Sequence, residues 1–498
     1  MKAFKHSSLL GFSAIFIILV CHPGHSHAQL LRAGFEASTG YITPDRMPFW
    51  LRANQNGDIP PSAASLGLLG KIEKTYSTDD PERLFDWGAT LEGRVYTGAE
   101  TNVVLLQGYA KARLWIFQVK AGRSRDMMGL ADSTLSVGAF SVSGTAPGIP
   151  KIEAGIPEFF TLPFWGDLFA FKGNFVHGWL GDQDMRRAGN IFPVTTYLHQ
   201  KSFYGRFGHQ DWRLKLYGGF NHQAQWGNEQ EYYGNNSYTL TMPESFLYVV
   251  IGKAYGTPDI PRSKIGNHLG SIDLGLSYEF DRFRLFAYRQ NFYDVGALYY
   301  LANIRDGLNG LSLTNTAVAN RGFEWHTVVA EFFYSRNQAG ELWSPYTPSG
   351  DENYYNNFQY VKGWTYKNLN LGNPLIGTRQ HIRPDLPNDP ENYFINNRVV
   401  AFHLGFEGKL HNTWTFITRA TYSLNYGTFG TSEAGHSTGS RHTPPRYGIF
   451  QQTAQFSGFL HVERALGKNM ALGLRFALDR GDLYFPSTGA LLFFEQQF

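Results

Sequence analysis

Apolar and polar residues alternate one by one along much of this chain. In 271–280, Ile272, Leu274, Leu276, Tyr278 and Phe280 fall on one side, with Ser271, Asp273, Gly275, Ser277 and Glu279 on the other. In 471–479, Leu472, Leu474, Phe476 and Leu478 alternate with Gly473, Arg475, Ala477 and Asp479. In 400–407, Val400, Phe402, Leu404 and Phe406 alternate with Ala401, His403, Gly405 and Glu407. Trp414 to Tyr426, Phe456 to Glu463 and Trp212 to Phe220 behave alike. Successive strand side chains face opposite sides, so each segment predicts a strand with one apolar and one polar face.

The connections alternate too. Backwards from Phe498, residues 480–489 form a middling loop, 466–469 a tight turn, 427–450 a long polar loop, 408–413 a short link and 336–397 a very long loop. Asp281-Arg282 is a further tight turn, and 322–334 another strand. Short turns on one side and long loops on the other are the rule of a membrane β-barrel. With the C-terminus inside, 336–397, 427–450 and 480–489 fall outside. The side occupied by 293–320 is left open. The Gly- and Pro-rich stretch 122–168 is expected to enter the lumen as a partial plug. No internal repeat or hinge-like linker appears, so one domain is expected.

A soluble sandwich would share the alternation. Aromatics at strand ends (Phe280, Phe283, Trp414, Tyr426) suit the girdles of a membrane barrel. Phe498 ends the chain on an amphipathic last stretch with Phe494 and Leu492, which suits the signal of the barrel assembly machinery, although Gln496 interrupts it. Aromatics make up 16% of 498 residues, with 54 Gly and a net charge of +3. That charge gives no basic footprint for nucleic acid. No run after residue 28 is long and apolar enough for a spanning helix.

The start reads as an export leader. Lys2 and Lys5 precede the apolar Leu9–Val20, and Ser26 and Ala28 supply a small-x-small cleavage site before Gln29. A cleaved leader 1–28 and a single barrel domain 29–498 are expected, in the outer membrane of a Gram-negative cell. Cys21 is the one cysteine and lies in the leader. Lipidation there is a minor alternative, because Ile18-Leu19-Val20 lacks the small residue such processing wants. Without Cys21 the chain has neither disulfides nor thiolate metal ligands.

No nucleophile elbow, H-E-x-x-H, P-loop or EF-hand pattern appears. His177, His199, His209, His222, His403 and His461 match no triad or metal spacing, so neither enzyme, metal nor cofactor is expected. Sugar binding has better support. Residues 351–366 gather Asp351, Tyr354, Tyr355, Tyr360 and Trp364 among Asn and Gln. Aromatic faces meet sugar C–H surfaces and polar groups meet hydroxyls. Trp226 sits in a similar setting with Trp179, Trp212, Tyr232 and Tyr233. Any single one of these aromatics more often serves packing; for the 351–366 cluster the two uses stand level.

An ordered set of motifs over roughly 48–378 resembles one family. It comprises Pro48 to Gly57 (PFWLRANQNG), Gly122-Arg123, Gly129 to Ser133 (GLADS), Gly144 with Pro147 to Lys151 (PGIPK), and Phe171-Lys172-Gly173 with His177-Gly178. It continues with Tyr197 to Ser202 (YLHQKS), Tyr204-Gly205-Arg206, Gly218 to Trp226 (GGFNHQAQW), Asp306 to Gly310 (DGLNG) and Gly350 to Tyr354 (GDENY). This pattern resembles the capsule assembly protein Wzi family in its Bacteroidetes-type form. The resemblance implies an all-β transmembrane antiparallel barrel of about eighteen strands. It implies a non-catalytic, lectin-like protein that holds capsular or other surface polysaccharide on the cell. Better known members carry a periplasmic helical bundle, whereas this chain begins with the strand-like Leu30 to Ile42. Of the matched residues, Arg52, Arg123, Lys201 and Arg206 are expected in the lumen, with Asp132 neutralising one of them. Trp50, His177, His199 and His222 belong to the same motifs. Expected partners are surface polysaccharide, outer-membrane lipid and lipopolysaccharide, and the assembly machinery. A porin for small solutes or oligosaccharides is the alternative, and an outer-membrane hydrolase a lower one.

Overall fold

The computed structural model describes residues 31–498, apart from 45, 61–62, 78–82, 228, 235–236, 295, 318–321, 341–351, 434–435, 438–439 and 442–444. The leader and the candidate Asp351 lie outside the described residues.

The wall strands are β1 (Leu31–Thr43), β2 (Ala64–Lys74), β3 (Phe85–Gly98), β4 (Asn102–Leu114), β5 (Phe117–Arg123) and β6 (Lys151–Thr161). They continue as β7 (Phe169–Arg187), β8 (Asn190–Phe207), β9 (Leu214–Trp226), β10 (Asn267–Glu279), β11 (Phe283–Tyr293) and β12 (Gly307–Asn315). The last are β13 (Phe323–Tyr334), β14 (Val399–Leu410), β15 (Trp414–Asn425), β16 (Thr453–Ala465), β17 (Met470–Gly481) and β18 (Ser487–Gln497). Each pairs antiparallel with the next, giving one 18-stranded sheet. It closes where β1 meets β18, from Gly34 opposite Gln497 to Thr43 opposite Thr488. Closure leaves no edge, as a sheet in a membrane requires.

The alternation decides which face meets lipid. Ile272 and Leu274 on β10, Phe402 and Leu404 on β14, and Leu472 on β17 point outward and are exposed, while Ser271, Asp273, His403 and Asp479 point inward and are buried. Trp87, Trp115, Phe117, Trp165, Trp212 and Phe280 lie exposed at one end of the barrel. That end also holds residue 31, Phe498 and the short turns 115–116, 280–282, 411–413 and 466–469. The long connections 44–63, 124–150, 227–266, 294–306, 335–398 and 426–452 share the other end. By the barrel rule the short-turn end is periplasmic. The tip between β7 and β8 is a two-residue turn with both central residues at positive φ, Ala188 (48°) and Gly189 (81°). That geometry matches the strand twist.

The alternating connections appear as the sequence predicts, with boundaries moved by a few residues. Two stretches resolve differently. Within 293–320, residues 294–306 form a long-end loop and Gly307–Asn315 is β12. Within 122–168 the long irregular run is 124–150, because Lys151–Thr161 is β6 and 162–168 is a turn at the opposite end.

Candidate functional site

Three connections fold back into the long-loop half of the lumen. The first contains α1 (Phe49–Arg52), where Phe49, Trp50 and Leu51 are buried. The second is 124–150, and the third runs through 352–397. They bond to one another: Asn56 N–H donates to the Gly144 carbonyl at 2.6 Å, and Ser143 N–H to the Leu371 carbonyl at 3.0 Å. Together with inward wall residues they form one buried apolar cluster, including Trp50, Phe140, Phe292, Tyr354, Tyr355, Trp364 and Phe394.

Irregular backbone inside a barrel needs acceptors and donors that no ladder supplies. Carboxylates from the wall and its adjoining loop meet much of that need. Asp479 of β17 accepts the Phe49 N–H at 2.8 Å. Asp273 of β10 accepts the Leu130 N–H at 3.1 Å. Glu331 of β13 accepts the Val137 N–H at 2.7 Å, the Ser136 hydroxyl at 2.6 Å and the Tyr288 hydroxyl at 2.5 Å. From the 294–306 loop, Asp294 accepts the Tyr355 N–H at 2.7 Å, and Asp306 accepts the Gln338 N–H at 2.7 Å and the Tyr354 hydroxyl at 2.6 Å. Burial pushes the Asp294 carboxyl well above the usual range and Asp306 up to about 6.

The periplasmic half is different. A cavity of about 420 Å³ is walled by β1, β2, β3, β17 and β18 and roofed by Asn54, Gln55, Asn56 and Asp58. Its buried charges are paired. Arg94 bonds Glu36 at 2.9 Å and Asp58 at 2.9 Å, Arg475 bonds Glu36 at 2.6 Å, and Arg125 bonds Glu92 at 2.5 Å. A second cavity of about 200 Å³ lies against β5 to β8, with Lys172 and Glu153 in its lining.

The aromatic residues selected from sequence are not at an open surface. Tyr354, Tyr355, Tyr360 and Trp364 are buried within the plug region. Trp364 donates its indole N–H to the Ser141 carbonyl at 2.8 Å, and the Tyr355 hydroxyl donates to the Phe140 carbonyl. Tyr360 donates to the Gln225 carbonyl at 3.3 Å. Their ring faces are covered by protein, so this arrangement presents none of them to a sugar. Trp226 is buried as well, but on the outside of the wall, against Tyr197 and Phe246.

The motif residues divide between two faces. Trp50 and Arg52 belong to the plug, where Arg52 lies over the Tyr484 ring at 4.9 Å. Arg206 faces inward and bonds Thr161 at 3.1 Å. Arg123 bonds the Leu105 carbonyl at 3.1 Å and the Tyr366 hydroxyl at 3.3 Å, where the chain leaves the wall. Lys201 does not line the lumen. It shares the outward face of β8 with the exposed Phe203. His177, His199 and His222 are likewise outward, under the 227–266 connection, which carries α2 (Glu229–Tyr233) and α3 (Met242–Ile251), with α3 over the histidines. Asp132 neutralises none of the four cations; it caps its own turn, accepting the Thr134 and Leu135 N–H groups at 2.8 and 2.6 Å. A lumen histidine with a hydroxyl partner exists in His403, which is 2.8 Å from Thr421. It also donates to the Leu135 carbonyl at 2.6 Å and is buried behind the plug.

An accessible aromatic pair lies where the sequence pattern left the side open. Tyr299 and Tyr300, in the single helical turn Ala297–Tyr300, are 86% and 49% exposed. Their rings stand at 86° with centroids 5.0 Å apart, forming a corner. The turn is anchored from below, as Glu352 accepts the Ala297 N–H at 2.7 Å and an Asn303 amide N–H at 3.0 Å. Arg305 is exposed beside it. Adjacent Tyr-Tyr in an apolar-polar mixture carries no sequence signal of exposure, which is why pattern reading passed over it.

No family model matches this chain, and no curated protein matches it in sequence. Among solved structures it is similar to Wzi of Escherichia coli, described as an outer membrane protein involved in group 1 capsule assembly and a carbohydrate-binding β-barrel. Identity is 13%, the TM-score is 0.52, and the match covers 93% of this chain and 83% of that one. OccAB2 of Acinetobacter baumannii matches at 11% identity and a TM-score of 0.45, over 95% of this chain and 99% of that one. OprD of Pseudomonas aeruginosa matches at 11% identity and a TM-score of 0.42, over 94% of each. The shared feature is the fold, a closed antiparallel barrel of the outer-membrane type.

Proposed function

We propose that this protein is a non-catalytic outer-membrane barrel that binds capsular or another surface polysaccharide at its outer end and helps hold it on the cell. The observation that carries the reading is the filled outer lumen. Three backbone segments pinned by wall and loop carboxylates leave the outer end as a surface rather than a pore mouth. On that surface the Tyr299–Tyr300 corner offers two ring faces, and Arg305 a cation for an acidic sugar. The fold likeness to the carbohydrate-binding Wzi barrel supports the same direction. We place the sugar contacts at this corner, with the 352–366 aromatics as the packing beneath it.

The test is binding of the detergent-solubilised barrel to polysaccharide from its own cell surface, beside a Tyr299→Ala/Tyr300→Ala variant. Stacked rings contribute roughly 0.5–1.5 kcal/mol each, so a fall in affinity of about tenfold or more is expected. Equal binding by both proteins would remove the corner from the reading, and absence of binding by the native protein would remove the reading. A channel for small solutes is the second reading, favoured by the charged 420 Å³ cavity at the periplasmic end. Ion conductance of the unaltered barrel in a planar bilayer would establish it.

A further inference from the structure

The outer wall carries an anomaly. Over β7 to β10 the outward face should be apolar, and lower down it is: Phe175, Phe203, Phe220 and Ile272 are exposed. Towards the long-loop end the same faces carry His177, Lys201, His199, His222 and His268. Lys201 stands across from Phe175 on β7 and from His222 on β9, so it marks the border between the apolar belt and this polar patch.

The 227–266 connection folds down over the patch. Thr241 and Glu244 form a capping box at the start of α3, and Gly252 (φ 65°) ends it. Phe246 then packs on His177 and His199 at 5.7 and 5.8 Å between ring centroids. His268 donates Nε2–H to the Ile265 carbonyl at 2.7 Å, so its Nδ1 accepts from His222 at 2.9 Å. The Lys201 ammonium donates to the Val250 carbonyl, near the C-terminus of α3. The polar wall is thereby satisfied by a helix lying outside the barrel.

On the outer side of that helix two apolar side chains are uncovered, one turn beyond the exposed Glu244. Leu247 and Ile251 are 56% and 59% exposed. Beside them the chain turns through a hairpin, Ala254–Thr257 with Ile260–Lys264. Residues 242–266 carry Lys253, Arg262 and Lys264 against two carboxylates, Asp259 and the Glu244 of the capping box. With Lys201 that makes four basic groups, none of which forms an ion pair among the described residues. Lys201 and Lys264 are close enough to repel, and Lys264 is exposed on the hairpin.

Uncompensated lysines framed by exposed aliphatic and aromatic side chains have the chemistry of a site for an anionic amphiphile. We propose that α3, its hairpin and Lys201 form a seat on the outer wall for a phosphate-bearing lipid of the outer leaflet. The phosphate would meet Lys201, Arg262 and Lys264, and the acyl chains Leu247, Ile251, Phe175 and Phe203. The charge balance selects an anionic headgroup, and continuity with the lipid-facing belt selects a lipid over a soluble anion. This site is separate from the Tyr299–Tyr300 corner and stands whether or not that corner binds sugar.

The experiment is native mass spectrometry of the full barrel released from two kinds of nanodisc. One holds phosphatidylcholine with lipid A, the other phosphatidylcholine with phosphatidylglycerol. Retention of lipid A over phosphatidylcholine by tenfold or more is expected for the native chain. R262Q/K264Q should lose that preference while keeping the same thermal unfolding midpoint, because both residues lie on the exposed hairpin. L247S/I251S should lose retention of every lipid. Equal retention of lipid A and phosphatidylcholine by the native chain would overturn the proposal, as would an unchanged preference in R262Q/K264Q. Displacement of lipid A by millimolar inorganic phosphate, or by an acidic oligosaccharide, would also overturn it, since the site would then read the anion alone. Dimers released in place of lipid-bound monomers would assign the face to a second copy.

Discussion

The two halves of the lumen use carboxylates in opposite ways. In the outer half, Asp479, Asp273, Glu331 and Asp294 accept backbone N–H groups from chain that has no ladder of its own. In the periplasmic half, Glu36, Asp58 and Glu92 face Arg94, Arg475 and Arg125 around a cavity large enough for water. The first arrangement fixes a plug. The second balances charge among largely buried side chains that line the cavity. Losing an acid of the first kind orphans several buried donors, whereas losing Glu36 leaves Arg94 with Asp58 and Arg475 partly exposed.

The sharpest way to break the contrast is to remove the plug. Replacing 130–145 by a short Gly-Ser link should turn a filled barrel into a conducting one, because a lumen of this strand number holds an aqueous channel once emptied. Single-channel current in planar bilayers should rise by ~10-fold or more over the native chain. A silent variant that is folded by circular dichroism would show that the other two segments close the lumen unaided.

Next in size is Glu331→Ala. It leaves the Val137 N–H and the Ser136 and Tyr288 hydroxyls without their acceptor. Each orphaned donor costs about 1–3 kcal/mol, so the denaturant midpoint should fall clearly and 124–150 should become protease-sensitive. Glu36→Gln is the control from the other half. Arg94 keeps Asp58, and the glutamine oxygen can still accept from the guanidinium groups, so a loss smaller than that of Glu331→Ala is expected in the same unfolding assay. A Glu36→Gln loss equal to that of Glu331→Ala would erase the distinction.

The smallest effect is a pH slope. Burial lifts Asp306 to about 6, so its carboxyl holds a proton more tightly folded than unfolded. Its contribution is complete below the ordinary Asp value of about 3.9 and is lost as pH rises through about 6. Unfolding midpoints of the native chain should decline over that window relative to Asp306→Asn, which has no carboxyl to titrate there.

The alternation of Ile272 with Asp273, or Phe402 with His403, determined strands, their two faces and a wall with lipid outside. The alternation of short and long connections determined which end is which. These are local signals, since side-chain direction follows from a period of two and loop length is read directly. Only the tertiary structure decided how the polar and aromatic residues are used. Lys201, His199 and His222 look like lumen residues, yet register turns them outward and α3, some forty residues further on, covers them. Tyr354, Tyr355 and Trp364 look like a sugar-binding cluster, yet Asp306 takes the hydroxyl of Tyr354, and the Phe140 and Ser141 carbonyls, more than two hundred residues away in sequence, take the polar ends of Tyr355 and Trp364. Tyr299 and Tyr300 carry no periodic mark and owe their exposure to the Glu352 and Asn303 contacts beneath them. Burial is a sum over contacts between distant segments, and no local pattern contains that sum.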